Sequence, residues 1–215
     1  MQKFIIMGAQ GCGKGTQSRL LSAQLDLAHI CVGDILRWNI QSRTKLAARI
    51  RRVVDAGELV PDEIVEQIVQ ERLEQHDWNF GFILDGFPRN TEQAEFFLES
   101  YDVDAVIHIQ VTDELVIERV LSRRICPECI LDYSLIHHRP EVENTCDVCG
   151  TELIVRADDD EETVRTRLSE YRLRTEPILG LFERKELVFT VDGSKSIQDV
   201  FTDILEAAES AGSQV

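Results

Sequence analysis

The glycine-rich segment at residues 8–17, GAQGCGKGTQ, most constrains the fold of this chain. It follows the apolar run Phe4–Met7 and leads into a stretch with helical spacing that starts at Lys14. Glycines here allow successive backbone N–H groups to turn towards one anion, and the N-terminus of the helix adds its dipole. The pattern Gly8-x4-Gly13-Lys14 therefore predicts a phosphate-binding loop, in which the lysine reaches the outer phosphates of a nucleoside triphosphate.

Two features of this segment bear on which kind of nucleotide-binding loop it forms. Gly15 occupies the place after the lysine where serine or threonine is usual, so the hydroxyl comes one residue later, at Thr16. A dinucleotide-binding loop is the alternative, because Asp34 follows at about the distance where an acid could bind a ribose, roughly 20 residues on. The glycine spacing does not complete Gly-x-Gly-x-x-Gly, however, and this favours the phosphate loop.

The short apolar runs along the chain predict the fold class. They alternate with stretches in which apolar residues recur every three or four positions, as on the buried face of a helix. The runs are Phe4–Met7, Ala28–Val32, Gly81–Asp85, Ala105–Val111 and Leu187–Val191. This alternation predicts an α/β fold of the P-loop NTPase type, with a parallel five-stranded sheet flanked by helices. Two segments interrupt it, a helical insert from Gly33 to Val60 and a cysteine-rich segment.

Charge and hydropathy limit the classes of partner. The chain has 39 acidic and 23 basic residues, and its net charge is -16. Such a molecule repels polyanions, so we expect no nucleic-acid partner. No apolar run reaches the ~18 residues of a membrane helix, and the N-terminus lacks the pattern of a signal peptide. We therefore expect a cytoplasmic protein with no membrane partner.

The segment FILDGFPRN predicts a second anion-binding region. Asp85 would end a buried strand beside the phosphate loop, where a carboxylate can orient hydrated Mg²⁺. The alternative for this residue is an acidic helix cap. Arg89 follows on a rigid Gly-Phe-Pro turn at the same edge, and its planar guanidinium suits bidentate capture of a phosphate.

Four of the six cysteines form two Cys-x2-Cys pairs that are separated by 16 residues. They are Cys126, Cys129, Cys146 and Cys149. This spacing predicts a tetrahedral site of four thiolates, for which zinc is the best fit and iron or an unoccupied reduced site are the alternatives. Four thiolates leave no open position for a substrate, so we expect a structural metal whose binding supplies folding free energy to a small segment.

Six motifs occur in one order along nearly the whole chain. They are GAQGCGKGTQ (8–17), VGDILR (32–37), DAGELVPDE (55–63), LDGFPRNTEQA (84–94), RADDDEETVRTRL (156–168) and VDGSK (191–195). This order resembles the adenylate kinases, in the long form that carries a lid insert. Members of that family transfer the terminal phosphoryl group of ATP to AMP with Mg²⁺, giving two ADP. The resemblance implies the same reaction here, with ATP, AMP and ADP as partners.

The resemblance also implies a role for each matching residue. Phosphoryl transfer requires alignment of donor and acceptor and neutralisation of the charge on the phosphoryl oxygens. The residues implied to be catalytic are Lys14, Asp85, Arg89, Arg123, Arg156 and Arg167. Those implied to bind ATP are Gly11, Cys12, Gly13, Lys14, Gly15, Thr16, Arg119, Arg123, Asp132, Tyr133 and Lys195. Those implied to bind AMP are Val32, Arg37, Glu58, Leu59, Val60, Gly86, Arg89, Gln93, Arg156 and Arg167. Asp158 and Asp159 would hold the lid closed.

By the same resemblance the chain divides into three parts. The core would comprise residues 1–30, 61–122 and 160–215, the insert at 31–60 would bind the nucleoside monophosphate, and residues 123–159 would form a zinc lid. Two covers that close over a rigid core would shield ATP from water, the competing acceptor. Long-lid members are commonly monomers, which implies a monomer here.

Three positions depart from the family pattern. Gln10 replaces a common proline in the phosphate loop, Ser122 replaces a usual glycine at the lid hinge, and Val32 lacks the hydroxyl that contacts AMP. A kinase for another nucleoside monophosphate is therefore one alternative, although Gln93 retains an amide that can pair with N1 and N6 of adenine. A nucleic-acid-dependent ATPase with a zinc ribbon is the other, and the net charge disfavours it.

Overall fold

The computed structural model describes residues 2–129, 131–156 and 158–212. Met1, Ile130, Ala157 and residues 213–215 lie outside the described residues, and so do the outer ends of the predicted core ranges 1–30 and 160–215. The strands are β1 (Lys3–Met7), β2 (Ala28–Cys31), β3 (Phe82–Asp85), β4 (Ala105–Gln110), β5 (Arg123–Ile125), β6 (Asp132–Ser134) and β7 (Val188–Asp192). The helices are α1 (Lys14–Leu25), α2 (Val32–Gln41), α3 (Ala47–Asp55), α4 (Asp62–Glu74), α5 (Thr91–Ser100), α6 (Asp113–Leu121), α7 (Glu161–Glu170), α8 (Leu179–Glu183) and α9 (Ile197–Gly212). A π-helical turn (Tyr171–Thr175) and a 3₁₀ turn (Glu176–Ile178) join α7 to α8, and another 3₁₀ turn (Trp78–Phe80) precedes β3.

Five of the described strands form one parallel sheet in the order β2-β3-β1-β4-β7. The predicted α/β fold with a five-stranded parallel sheet is thereby confirmed. The predicted runs differ from the strands only at their ends. One of these differences changes the element of a predicted site residue. Val32 is the first residue of α2 rather than the last of β2.

The sheet has a hydrophobic layer on each face, because successive side chains of β1 point to opposite sides. Phe4 and Ile6 belong to the layer that includes residues of α1 and α9, whereas Ile5 and Met7 belong to the layer that includes residues of α4 and α5. All four side chains are buried. Each contributes on the order of 1.5–3 kcal/mol through burial, so the central strands are fixed from both faces.

The carboxyl ends of the parallel strands meet at one edge of the sheet. The pairing places Asp85, at the end of β3, opposite Ile6 of β1 and Cys31 of β2. The loops that follow the strands therefore converge there, and in open α/β sheets this edge is where ligands bind.

Two smaller units surround this edge. The helical insert contains α2 and α3, and Gly57 beyond α3 packs against α7. A Cβ at Gly57 would lie 2.9 Å from Thr163 Cγ2, and its φ of +76° also favours glycine. The second unit, called the cysteine module below, comprises residues 123–156 and is built on the antiparallel pair of β5 and β6. Within the described chain, none of the helices has the length and hydropathy that a membrane-spanning segment requires.

Candidate active site

The loop between β1 and α1 has the geometry of an anion cradle. Gly11 and Gly13 have φ values of +80° and +108°, a left-handed conformation that glycine adopts without strain. Lys14 begins α1, and its Nζ donates hydrogen bonds to the carbonyl oxygens of Gly8 at 2.6 Å and of Ala9 at 2.7 Å. The lysine thus lies over the loop, at the N-terminus of the helix where an anion binds most favourably.

Two predicted ATP-binding side chains lie in different surroundings. Arg119 of α6 donates to the carbonyl oxygen of Cys12 at 3.4 Å, and burial lowers its pKa. Lys195 follows β7, and its Nζ lies 2.7 Å from a carboxylate oxygen of Asp203 on α9. A Cβ at Gly193 would lie 3.2 Å from the same Cys12 oxygen. The structure therefore brings Arg119 and the loop at Gly193 to the phosphate loop, and pairs Lys195 with α9.

Asp85 lies beside the start of α1. Its side chain is buried, and a Cβ at Gly15 would lie 3.7 Å from Asp85 Oδ2. Thr16 is half-buried in the same first turn of α1. His29 Nε2 lies 3.7 Å from Asp85 Oδ2, too far for a hydrogen bond. The carboxylate is therefore next to the phosphate loop, and it does not cap a helix.

Arg37 and Asp34 form an ion pair within the first turns of α2, with a nitrogen–oxygen distance of 2.5 Å. Burial alone would lower the pKa of Arg37, but the charge of Asp34 and the hydrogen bond to it outweigh this and raise the pKa. Burial would likewise raise the pKa of Asp34, but Arg37 holds it below its usual range. Arg37 is thus fully charged at the edge of the sheet.

The turn after β3 holds Arg89 from several sides. Its Nε donates to the carbonyl oxygen of Gly86 at 2.9 Å, and its own carbonyl oxygen accepts from Thr175 Oγ1 at 2.7 Å. The preceding bond, Phe87–Pro88, is cis. Burial lowers the pKa of Arg89, and the nearby charge of Arg167 lowers it further. A guanidinium held this rigidly among like charges is prepared to bind an anion.

Gln93 is fully buried at the start of α5, and its amide already has partners. Oε1 accepts from the backbone N–H of Arg89 at 2.8 Å, and Nε2 donates to Asp62 Oδ1 at 2.6 Å. The same oxygen of Asp62 accepts from Asn90 at 2.8 Å. Gln93 would have to give up these hydrogen bonds before its amide could pair with an adenine.

Four further predicted acceptor-site residues lie within the insert. Val32 and Val60 are buried in the main core, whereas Glu58 is exposed and Leu59 is half-buried. The backbone N–H of Glu58 donates to the carbonyl oxygen of Val53 at 3.1 Å, which ends α3. The side chain of Val32 therefore contributes packing at this position.

Three predicted arginines each form an ion pair with an aspartate near the cleft. Arg123 makes a bidentate contact with Asp159, its Nε lying 2.7 Å from Oδ2. Arg167 lies 2.7 Å from Asp158. Burial would raise the pKa of Asp158, but the charge of Arg167 outweighs this and lowers it. Both aspartates are buried, so they fix the orientation of the two arginines.

Arg156, the third of these arginines, has other cations close to it. Its side chain is 9% exposed, and its Nη2 lies 2.6 Å from Asp132 Oδ1. Burial, followed by the charges of Arg123 and Arg37, lowers its pKa to about 10. Its Nε is buried and has no hydrogen-bond partner among the described residues. The arginines therefore come close enough to repel one another, a repulsion that a bound anion would relieve.

The four paired cysteines come together in the cysteine module. Their sulfur atoms lie within 4.8 Å of one another, and Cys126 Sγ is 3.4 Å from Cys149 Sγ. All six cysteines of the chain are free thiols in the described residues. Tyr133 lies 3.4 Å from Cys146 Sγ and accepts from the N–H of Asp147, and its hydrogen bond lowers the pKa of Cys146 to about 6. This donor set fits a tetrahedral metal ion.

Sequence reasoning did not single out several partners that the structure reveals. Arg19 on α1 lies 3.1 Å from Asp132, which links the phosphate-loop helix to the cysteine module. Tyr133 directs its ring into the interior of that module, and its predicted contact with ATP stays a prediction. Asp62 holds Gln93. The two members of each pair are far apart in the chain, so no local sequence motif indicates that they are in contact.

Two of the departures from the family pattern also have structural explanations. Gln10 Nε2 donates to Asp159 Oδ1 at 3.4 Å, a contact that connects the phosphate loop to the segment between the cysteine module and α7. Ser122 has φ −80° and ψ −9°, a conformation that any residue adopts. Its hydroxyl donates to the carbonyl oxygen of Arg119 at 3.0 Å. Glycine is therefore not required at position 122.

Comparisons with known proteins match nearly the whole chain. A family model described as adenylate kinase matches residues 6–187. A protein named adenylate kinase from Caldanaerobacter subterraneus subsp. tengcongensis is 43% identical over 210 residues, which cover 95% of this chain and 95% of that protein. Adenylate kinases from Acetivibrio thermocellus and Thermoanaerobacter sp. are each 41% identical and cover 95% and 98% of this chain, and 97% and 99% of their own lengths.

Proposed function

This chain belongs to the adenylate kinase family, and we propose how its residues carry out phosphoryl transfer between ATP and AMP. It is an ATP:AMP phosphotransferase. The observation that carries the proposal is the convergence of half-buried arginines on the phosphate-loop edge of the sheet, where burial and then the charges of Arg123 and Arg37 lower the pKa of Arg156. Such a site is costly without an anion, and it stabilises the charge that spreads over a transferring phosphoryl group.

The donor ATP binds at the phosphate loop. Backbone N–H groups of residues 11–16 face its phosphates, and Lys14 moves from the carbonyl oxygens of Gly8 and Ala9 to the outer phosphates. Arg119 lies against the adenine, on the side of the loop that it already contacts through Cys12. The exposed contact of Lys195 with Asp203 leaves its predicted role in ATP binding the least supported of this group.

The acceptor AMP binds between the helical insert and the turn after β3. Arg37 and Arg89 hold its phosphate, and the backbone of residues 57–60 together with Gln93 contacts its adenine. The rigid support of Arg89 by Gly86, Thr175 and the amide of Gln93 favours one orientation of the acceptor. Fixed alignment of this kind lowers the barrier to an in-line transfer.

The transferring phosphoryl group lies among Arg123, Arg156 and Arg167. Asp159, Asp132 and Asp158 form ion pairs with these cations. Phosphate oxygens then replace the carboxylates as partners, and the buried Nε of Arg156 gains an acceptor. A bound Mg²⁺ ion would neutralise part of the phosphate charge. Asp85 is the carboxylate placed to orient its water ligands.

The cysteine module acts as a lid that shields ATP from water. We propose a structural zinc ion held by the four cysteines, with Tyr133 hydrogen-bonded to one of them in support. The division into a core (1–30, 61–122 and 160–215), an acceptor insert (31–60) and a lid (123–159) follows from these roles. A monomeric state and a cytoplasmic location stay predictions of the sequence.

The acceptor test distinguishes this function from its alternatives. Formation of ADP is followed with ATP and Mg²⁺ in the presence of AMP, UMP, CMP or GMP, or of single-stranded DNA. We expect rapid ADP formation with AMP and rates at least about 100-fold lower with the other monophosphates, because a site with buried polar groups rejects an acceptor that leaves them unpaired. Comparable rates with UMP or CMP would assign a different acceptor. Stimulation by DNA would assign a nucleic-acid-dependent ATPase.

A loop variant controls for contaminating kinases. Lys14→Met should abolish ADP formation with every acceptor, because it removes the cation that faces the outer phosphates. Activity that persists in this variant would come from another protein or from another site.

A further inference from the structure

Three side chains with metal-binding atoms lie together at the end of β2 and β3, outside the cysteine module. His29 and Cys31 are two positions apart on β2 and therefore share one face of the sheet. Asp85 pairs with Cys31 in the strand register. One nitrogen, one sulfur and one oxygen from these residues all lie within 4.8 Å of one another.

The imidazole of His29 has an unused nitrogen at this point. Nε2 is buried and has no hydrogen-bond partner in the described part of the chain, and it faces Asp85 Oδ2 at 3.7 Å. A buried polar atom without a partner is destabilising. An ion between the two side chains would satisfy both, whereas a direct hydrogen bond cannot form at this distance.

The chemistry of the three donors selects the kind of ion. Bonds of about 2.0–2.3 Å to a tetrahedral ion place the ligand atoms roughly 3.3–3.8 Å apart, close to the observed nitrogen–oxygen separation. An imidazole and a thiolate suit zinc and similar soft ions, whereas Mg²⁺ prefers oxygen ligands alone. Three protein ligands with a fourth position for water form a common arrangement for zinc.

We propose that His29, Cys31 and Asp85 form a second site for a soft divalent ion such as zinc, and that an ion bound there inhibits phosphoryl transfer. Binding displaces the proton of the Cys31 thiol to solvent. The inhibition rests on the proposed role of Asp85, which also lies beside Gly15 at the start of α1. A carboxylate committed to a zinc ion cannot at the same time orient the water ligands of magnesium.

Direct binding tests the site without nucleotides. The full-length protein is loaded with zinc, and the bound metal is then counted by equilibrium dialysis against zinc. Cadmium is titrated in parallel, with its thiolate charge-transfer absorbance as the signal. We expect two bound ions in the wild-type protein and one in Cys31→Ser and in His29→Gln. The second dissociation constant should rise by more than about 100-fold, because even the loss of a supporting residue outside the ligand set costs 10- to 100-fold.

Cys12→Ser is the matched control, since it removes the other thiol outside the cysteine module and should still bind two ions. Thermal unfolding shows whether each variant is folded, and His29→Gln suffices if Cys31→Ser is not. A single ion bound to the wild-type protein would overturn the proposal. A second ion that persists in both Cys31→Ser and His29→Gln would place it elsewhere and overturn it as well.

A separate zinc titration of the activity tests whether an ion at this site inhibits phosphoryl transfer. The wild-type enzyme should lose activity over the range in which the second ion binds, and the two variants should require at least about 100-fold more zinc. Binding of the second ion without loss of activity would overturn the inhibitory role and leave the site. Failure of the protein with zinc in the cysteine module alone, before the second ion binds, to form ADP from ATP and AMP would contradict the proposed function instead, whatever the dialysis shows.

Discussion

The sheet core and the cysteine module bury very different side chains. In the core, β1, β3 and β4 are apolar on both faces, and Ile5, Ile83 and Ile107 are fully buried. In the module, one small cluster is buried, and half of its members carry sulfur. The members of that cluster are Cys126, Tyr133, Cys146 and Leu153.

This difference implies that the two regions are stabilised in different ways. The core gains its stability from the burial of many apolar side chains, which is distributed over the whole sheet. The module is too small for such a core, so in the proposed zinc site the metal ion supplies most of the free energy that folds it. Exposed side chains such as Val148, at 72% exposure, add nothing to that cluster. We infer that the module can unfold or move as a unit while the sheet stays intact.

Loss of one metal ligand should have the largest effect. Cys126→Ser removes one of four thiolates, and structural zinc contributes on the order of 10–16 kcal/mol to folding in small zinc modules. We therefore expect amide hydrogen exchange in β5 and β6 to accelerate by about 10⁴-fold or more, while β1 and β4 keep their protection. The control Val148→Ser changes an exposed neighbour and should leave exchange unchanged. Equal acceleration in the sheet would contradict the separation of the two regions.

Arg123→Lys should have the next largest effect, and on the rate rather than on folding. Lysine keeps the positive charge but loses the planar fork that now binds Asp159 and would bind phosphoryl oxygens. We expect kcat to fall by about 10³-fold, within the range for an arginine that stabilises phosphoryl transfer. Arg124→Lys is the matched control, because Arg124 points to backbone carbonyl oxygens of Leu121 and Arg123. Similar losses in both variants would argue against a specific role for Arg123.

Ile107→Ala tests the stability of the sheet core separately from that of the cysteine module. It leaves a cavity in β4, where the side chain is fully buried, and should lower the free energy of unfolding by about 3 kcal/mol. Denaturant unfolding measures this loss. Metal content should stay that of the wild-type protein, because the cysteine module does not depend on this packing. Release of the metal at denaturant concentrations that leave β5 and β6 protected would be inconsistent with this view.

Arg19→Gln should have the smallest effect. Its ion pair with Asp132 connects α1 to the cysteine module, but the Arg19 side chain is 40% exposed and solvent weakens the interaction. We expect a change below about 1 kcal/mol in the protection of β6, and none at high salt. Salt titration of the exchange rates provides the measurement. A loss as large as that in Cys126→Ser would show that ion pairs, and not the metal, hold the module to the core.

Much of the fold was predictable from local patterns. Strands that are buried on both faces require continuous apolar runs, and Phe4–Met7 and Ala105–Val111 have this character. The phosphate loop was predictable because its glycines and Lys14 are adjacent in the chain. The cysteine pairs were predictable for the same reason, since each pair lies within a single turn. In each case the chemistry depends on residues that are close in sequence.

The sequence by itself thus determined the sheet class, the phosphate loop and the four-thiolate cluster, and the order of its motifs indicated the family. Only the tertiary structure decided that Arg19 contacts Asp132, that Asp62 occupies the amide of Gln93, and that His29 and Cys31 face Asp85. The last contact depends on the register between β2 and β3, and the other two depend on the packing of α1 near β6 and of α4 against α5. Spacing along the chain does not show which remote side chains come into contact, because the packing of the whole fold sets the distance between them.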